Sequence, residues 1–377
     1  MHKIRILIVD DAVVVRRMLT DILDSDPELE VVGTAANGKI ALNKLPQVKP
    51  DVMILDLDMP EMNGLETLAA VRKINSTLPI IAFSTMTERG ASKTLEALSR
   101  GATDYVTKPS TMRGARSAVD TIREELVPKV KAFGRRRRTP GQPTARPVQH
   151  RPVVPRPVVP VKRPIVPRAG SNKGANVGGG GSGINKYSVL AIGTSTGGPN
   201  ALANLLPRLP ANFPVPIVIV QHMPPIFTRI LAERLTTSSH LKVVEASMGA
   251  VLQPGNAYIA PGDYHMTVAK GSQTTVVTKT NQNPPEHSCR PAVDVLFRSV
   301  AEVYKDKVLA VILTGMGRDG ALGCAKIKQS GGGILAQDEA SSVVWGMPGL
   351  VAKQGLAEKV LSIEGLADEI TKRICGT

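Results

Sequence analysis

Two sets of side chains in this 377-residue sequence have types and spacings that could do chemistry. The first is acidic. Asp10 and Asp11 end an apolar run at Ile4–Val9, and Asp56 follows another at Val52–Leu55. Ser84 follows Ile80–Phe83, and Lys108, just before Pro109, follows Asp104–Val106. Three carboxylates brought together repel one another unless a hard divalent cation lies between them, and oxygen donors suit Mg²⁺. A carboxylate beside such an ion can attack a phosphoryl group, with the metal and a lysine neutralising the phosphoryl oxygens. The second set is nucleophilic. Ser195 lies at the middle of Gly193-Thr194-Ser195-Thr196-Gly197-Gly198-Pro199, a turn of the G-x-S-x-G kind between an apolar run and a helix (Ala201–Leu206). It needs a base. Of the six histidines, His2 and His150 lie outside this region, and His240 ends a polar helix tail as a solvated residue. His265 and His287 fall in irregular segments and could line a cleft, whereas His222 follows the apolar run Ile217–Val220 after one residue, Gln221. Asp319, within Thr314–Gly320 after Leu309–Leu313, could orient that base. Each residue also has an ordinary reading as a cap or turn residue. The glycine-rich turn could instead cradle phosphate, although it lacks the Walker lysine and the G-x-G-x-x-G spacing. The chain order Ser, His, Asp departs from the Ser, Asp, His order of α/β-hydrolases.

These residues share one kind of position, and that implies the scaffold. Ile4–Val9, Val31–Ala35, Val52–Leu55, Ile80–Phe83 and Asp104–Val106 read as strands. Helical spacing falls at Val13–Ser25, Gly38–Leu45, Gly64–Ile74 and Ala91–Ser99. Five strands alternating with helices predict a doubly wound parallel sheet, in which ligands bind at the carboxyl ends of the strands. The alternation resumes at Val189–Ile192, Ile217–Val220, Leu309–Leu313 and Gly333–Ala336, predicting a second α/β sheet. Ala257–Thr280, with Thr-Thr-Val-Val, predicts antiparallel hairpins inserted at one edge of it.

The Asp10-Asp11 pair, Asp56 with Pro60 and Gly64, Ser84 and Lys108-Pro109 resemble the receiver domains of two-component signalling. That resemblance implies a flavodoxin-like fold for residues 1–125, with Asp56 as phosphoacceptor. It further implies Asp10 and Asp11 as Mg²⁺ ligands with Asp56 and the Asp58 carbonyl, Ser84 as switch hydroxyl, Tyr105 as switch aromatic and Lys108 as phosphoryl partner. Gly193–Pro199, Gln221-His222-Met223-Pro224, Tyr258–Asp263, Arg290-Pro291-x-Val293-Asp294-Val295-Leu296-Phe297 and Thr314–Gly320 resemble the chemotaxis protein-glutamate methylesterases of the CheB type. This implies a Rossmann-like catalytic domain over residues 187–377 without a cofactor of its own. It also implies Ser195 as nucleophile, His222 as general base, Asp319 as its orienting carboxylate, and the backbone N–H groups of Thr196 and Met316 as oxyanion donors. The family hydrolyses γ-glutamyl methyl esters on chemoreceptor helices, and some members deamidate receptor glutamines. Its partners would be a histidine kinase and methylated receptors, with membrane contact only through the latter. Cys289 stands before Arg290 where the family pattern leads one to expect His.

The net charge of +15 is concentrated. Residues 126–232 contain no Asp or Glu, and 14 Lys and Arg lie between Lys129 and Lys186, leaving about +1 for everything else. Residues 126–186, rich in Pro, Arg, Val and Gly, are therefore expected to be a disordered tether between the two domains. It is longer and more basic than the connector usual in the family, an argument against tight packing of the domains. The Arg135–Arg138 run raises a second reading, a non-enzymatic response regulator that contacts nucleic acid. It has no interleaved aromatics and no helical framework, so no specific nucleic acid is expected. Three unpaired cysteines (Cys289, Cys324, Cys375), no signal peptide and no membrane-length apolar run lead to the expectation of a cytoplasmic protein.

Overall fold

The structure, a computed structural model, describes residues 3–108, 115–138, 186–272 and 274–376. The first sheet is built from β1 (Ile4–Val9), β2 (Leu29–Ala35), β3 (Val52–Asp56), β4 (Ile80–Ser84) and β5 (Asp104–Thr107). The strands pair in parallel in the order β2-β1-β3-β4-β5, the flavodoxin-like order. β3 and β4 are buried at every residue, as strands covered on both faces must be. The helices α1 (Val13–Asp24), α2 (Gly38–Val48), α3 (Gly64–Ile74), α4 (Glu88–Ser99) and α5 (Ala115–Arg138) cover those faces. α3 starts with a reciprocal capping box between Asn63 and Glu66, and the Thr87 side chain caps α4.

α5 corrects the expected boundary at residue 125. Residues 126–138 continue a helix and are not tether. Ile122, Leu126, Val130 and Phe133 recur at helical spacing and are buried against the first sheet with Ile4, Ile6 and Phe83. The remainder of the expected tether, 139–185, lies outside the described residues.

The second sheet has seven parallel strands in the order β14-β13-β12-β6-β7-β9-β8. They are β6 (Val189–Thr194), β7 (Ile217–Gln221), β8 (Lys242–Glu245), β9 (Asn256–Ile259), β12 (Val308–Ile312), β13 (Gly333–Gln337) and β14 (Lys359–Leu361). β10 (His265–Lys270) and β11 (Val276–Asn281) form a separate antiparallel hairpin. β9 therefore departs from expectation: it is a parallel strand of the main sheet, since Ala257, Tyr258 and Ile259 are all buried, while the hairpin strands keep exposed positions. The helices are α6 (Gly198–Leu205), α7 (Phe227–Ser238), α8 (Val293–Tyr304), α9 (Ala321–Gln329), α10 (Met347–Lys353) and α11 (Ile363–Cys375). The chain runs outward from β6 through β7 to β8 and β9, then returns to place β12 on the other side of β6. The paired strands β6 and β12 thus flank the topological switch point, and a doubly wound sheet opens a crevice at their carboxyl ends.

The two domains pack together, contrary to the expectation drawn from the connector. Tyr105 stacks on Phe227 of α7 with ring centroids 5.2 Å apart and planes at 11°. Ala91, Leu95 and Leu98 of α4 share one buried apolar cluster with Phe227, Leu231 and Leu202. Arg234 donates to Ser99 Oγ at 2.5 Å, and Arg229 pairs with Glu88. Val343 and Val344 pack against the apolar cluster of the first domain that contains Phe83 and Val106. A long connector lowers only the effective concentration of one domain at the other, whereas an apolar face with an aromatic stack sets the contact energy.

Candidate active site

In the first domain the strand ends converge. Ligand oxygens of Asp10, Asp11 and Asp56 lie within 4.8 Å of one another. Lys108 Nζ reaches Asp10 Oδ2 at 2.9 Å and Asp56 Oδ2 at 2.8 Å. Burial pushes the Asp56 carboxyl above the usual carboxylate range, although Lys108 pulls the other way. Burial lowers the Lys108 ammonium, but its bonds to Asp56 and Asp10 outweigh that and raise it. Gly64 lets the chain fold back onto β3, because a Cβ there would stand 2.2 Å from the Asp56 carbonyl oxygen. Asp58 N–H donates to Asp56 Oδ1 at 3.2 Å, while its side chain pairs with Lys93. Ser84 is buried and donates to the Gly90 carbonyl, and Tyr105 is turned towards Phe227. A cluster of hard oxygen donors with one resident cation is a donor set that fits Mg²⁺.

In the second domain three strand ends meet at the switch point. The register Thr194↔Gln221 and Ile312↔Gly193 brings Ser195, His222 and the turn after β12 side by side. Ser195 N–H donates to the Thr314 carbonyl at 3.1 Å, and His222 N–H to the Thr194 carbonyl at 3.1 Å. Asp319, 2% exposed, accepts from His222 Nε2 at 2.7 Å. It is held by the N–H groups of Val293 (2.6 Å), Asp294 (2.9 Å) and Gly320 (2.9 Å). Burial would raise the Asp319 carboxyl, but the bond to His222 and the backbone donors outweigh it and lower it. Burial would lower the His222 imidazole, but bonds to Asp319 and Cys289 outweigh it and push it up to about 10. Gly197 is left-handed (φ 78°), as the tight turn requires. Among the described residues the N–H groups of Thr196 and Met316 have no acceptor, and Ser195 Oγ makes no hydrogen bond to His222.

The whole chain matches curated proteins. A protein-glutamate methylesterase/protein-glutamine glutaminase of Trichodesmium erythraeum is 48% identical over 99% of this chain and 100% of its own length. One of Nocardioides sp. is 46% identical over 99% of this chain and 96% of its own. The chain belongs to the CheB methylesterase family. The model of that family matches residues 190–370, and a response regulator receiver domain matches residues 6–120. The crystal structure of the Thermotoga maritima CheB methylesterase catalytic domain is 44% identical over 51% of this chain and 99% of that one, with a TM-score of 0.48.

Several residues shape the site through contacts that the sequence did not reveal. Thr314 ties three segments: its carbonyl accepts from Ser195 N–H and Thr194 Oγ1, and its hydroxyl bonds Thr196 O and Val344 N–H. Gln221 Nε2 donates to the carbonyls of Ser195 and His222, both at 3.0 Å. His287 bonds Asp294, which lies behind Asp319. His265 is buried with both ring nitrogens engaged, to Pro284 O and Ala292 N–H, so it braces the loop and lines no cleft. Cys289 stood out only as a departure from the family pattern, yet its Sγ lies 3.5 Å from His222 Nδ1.

Proposed function

We propose that this chain is a phosphorylation-regulated protein-glutamate methylesterase that hydrolyses γ-glutamyl methyl esters on the cytoplasmic helices of chemoreceptors and deamidates receptor glutamines at the same site. The observation that supports it most is the His222–Asp319 pair at 2.7 Å beside Ser195, at the switch point of a parallel sheet. In this reading Ser195 Oγ attacks the ester carbonyl carbon while His222 Nδ1 takes the hydroxyl proton and Asp319 holds Nε2. The carbonyl oxygen becomes an anion facing the unengaged N–H groups of Thr196 and Met316. The C–O bond breaks, methanol leaves with the proton from His222, and water then hydrolyses the acyl-serine to glutamate by the same base. With a glutamine the leaving group is ammonia.

Residues 1–125, extended by α5, act as the receiver and residues 187–377 as the hydrolase. Asp56 accepts the phosphoryl group from a histidine kinase, and Lys108 balances its charge. Asp10, Asp11, Asp56 and the Asp58 carbonyl would hold Mg²⁺, which neutralises the phosphoryl oxygens when bound. Ser84 and Tyr105 respond to the phosphoryl group, and Tyr105 carries the change to α7 through Phe227. No described helix is long and apolar enough to cross a membrane, in keeping with a cytoplasmic enzyme that meets membranes through its receptors.

The test is methanol release from methylated receptors. Ser195→Ala should lower kcat/KM by on the order of 10⁴-fold or more, with an unchanged melting temperature, as for a triad nucleophile. Retention of a tenth of the activity would assign the nucleophile elsewhere.

A further inference from the structure

A general base must have one ring nitrogen free for its nucleophile, and His222 has neither. Nε2 is bonded to Asp319. That nitrogen cannot be exchanged, because Asp319 is immobilised by three backbone donors. Proton traffic with Ser195 must therefore use Nδ1, and Nδ1 faces the Cys289 thiol at 3.5 Å. On the reading of His222 as general base, we propose that Cys289 is a positioning residue whose thiol competes with Ser195 for His222 Nδ1 and holds the base idle until substrate enters.

The thiol is held in place by its loop. Cys289 N–H donates to Glu286 O at 2.8 Å and Glu286 N–H to Cys289 O at 3.1 Å, closing a turn through the left-handed residues His287 (φ 53°) and Ser288 (φ 60°). Three side-chain bonds clamp that turn: His287 to Asp294 at 2.9 Å, Arg298 to Glu286 at 2.5 Å, and Arg290 to Asp263 at 2.6 Å. The His222 side chain is only 12% exposed, so bulk water does not readily take the place of the thiol. Sulfur is a weak donor and a weak acceptor, which makes it a partner the Ser195 hydroxyl can displace. If the imidazole is neutral the S–H donates to Nδ1; if it is charged the N–H donates to sulfur. In both cases the Nδ1 lone pair is withheld from Ser195.

Among the described residues, the ionisable side chains bonded to His222 are Asp319 and Cys289. Asp319 faces it from the β12–α9 turn and Cys289 from the turn before α8, while Asp294 on α8 and its partner His287 stand behind Asp319. Asp319 and Cys289 both raise the imidazole, and losing the thiol lowers it.

The experiment compares full-length wild type, Cys289→Ala, Cys289→Ser and Ser195→Ala. It records methanol release from methylated receptors across pH and the His222 titration by ¹⁵N NMR of the imidazole. Freeing Nδ1 of one hydrogen bond should raise kcat of Cys289→Ala roughly three- to tenfold with KM unchanged. Its acid limb and its NMR titration should both move to lower pH, and Cys289→Ser, which keeps a hydrogen bond, should lie between. Unchanged kcat and an unchanged His222 titration overturn the proposal. Loss of activity in Cys289→Ala also overturns it; if Ser195→Ala then stays active, the thiol is the nucleophile and the serine reading falls too. A shifted NMR titration with Ser195→Ala still active refutes the serine reading and with it the proposal, since the thiol then has no serine to compete with. Loss of activity in Ser195→Ala with kcat and titration unchanged in Cys289→Ala overturns the proposal alone.

Discussion

Asp319 uses its full acceptor capacity: Oδ2 takes His222 and the Val293 N–H, and Oδ1 takes the N–H groups of Asp294 and Gly320. An amide there would have to aim an NH₂ group at donors. Asp319→Asn should therefore lower kcat by on the order of 10⁴-fold, the loss produced by the same change in a serine-protease triad. The same variant carries a pH signature. The His222 imidazole, 6.5 when unperturbed, is raised to about 10 in the fold. Its contribution to stability is fully present below about pH 6.5 and is lost as pH rises through about 10. The Asp319 carboxyl, lowered from 3.8, contributes above that value and loses its contribution as pH falls through its lower folded value. In melting curves taken from pH 6.5 to 10, Asp319→Asn should flatten the decline attributable to His222. A wild-type slope that survives the substitution would place the titrating group elsewhere.

The turn between β6 and α6 depends on close approach. A Cβ on Gly198 would lie 2.0 Å from Gln221 Oε1 and 2.5 Å from Thr194 Oγ1. Gln221 is 1% exposed and cannot retreat without losing its bonds to Ser195 O and His222 O. Gly198→Ala should therefore displace the turn and lower kcat/KM by about 100-fold, the usual consequence of an error near 1 Å in placing a reacting group. Activity within twofold of wild type would show that the turn tolerates the side chain. Element boundaries were legible where pattern and composition agreed, as for β3 and β4. They were not legible for α5, whose apolar stripe of Leu126, Val130 and Phe133 lies in a stretch whose proline and charge suggested a tether.

The two domains meet through α4, β5 and α7, and α7 begins five residues after His222. The receiver also reaches Val343, whose Cβ stands 2.6 Å from where a Gly197 side chain would begin. A contact that phosphorylation must release has to be modest, since moving a population from 1:99 to 99:1 takes about 5.5 kcal/mol. Arg234 is half-buried in that contact, and burial lowers its guanidinium while Glu96 counteracts this. Arg234→Glu removes the bond to Ser99 and turns the attraction to Glu96 into repulsion. The expected result is several-fold higher methylesterase activity without phosphorylation and a smaller stimulation by beryllofluoride with Mg²⁺. Basal activity equal to wild type would mean that this face does not restrain the hydrolase, and that the receiver serves another role such as docking to receptors.

Consecutive residues carried the strand-turn-helix units, the turn around Ser195 and the strand-end positions of Asp10, Asp56, His222 and Asp319, because apolar periodicity and glycine placement act within a few residues of chain. Only the tertiary structure decided which strand ends meet. His222 and Asp319 are 97 residues apart, and their bond depends on β12 returning beside β6 at the switch point. The partners of Thr314, the clamp of Gln221, the thiol on His222 Nδ1 and the stack of Tyr105 on Phe227 were not legible for the same reason. Each joins segments whose relative register is set by packing of the whole domain or of both domains, and a local pattern does not encode that register.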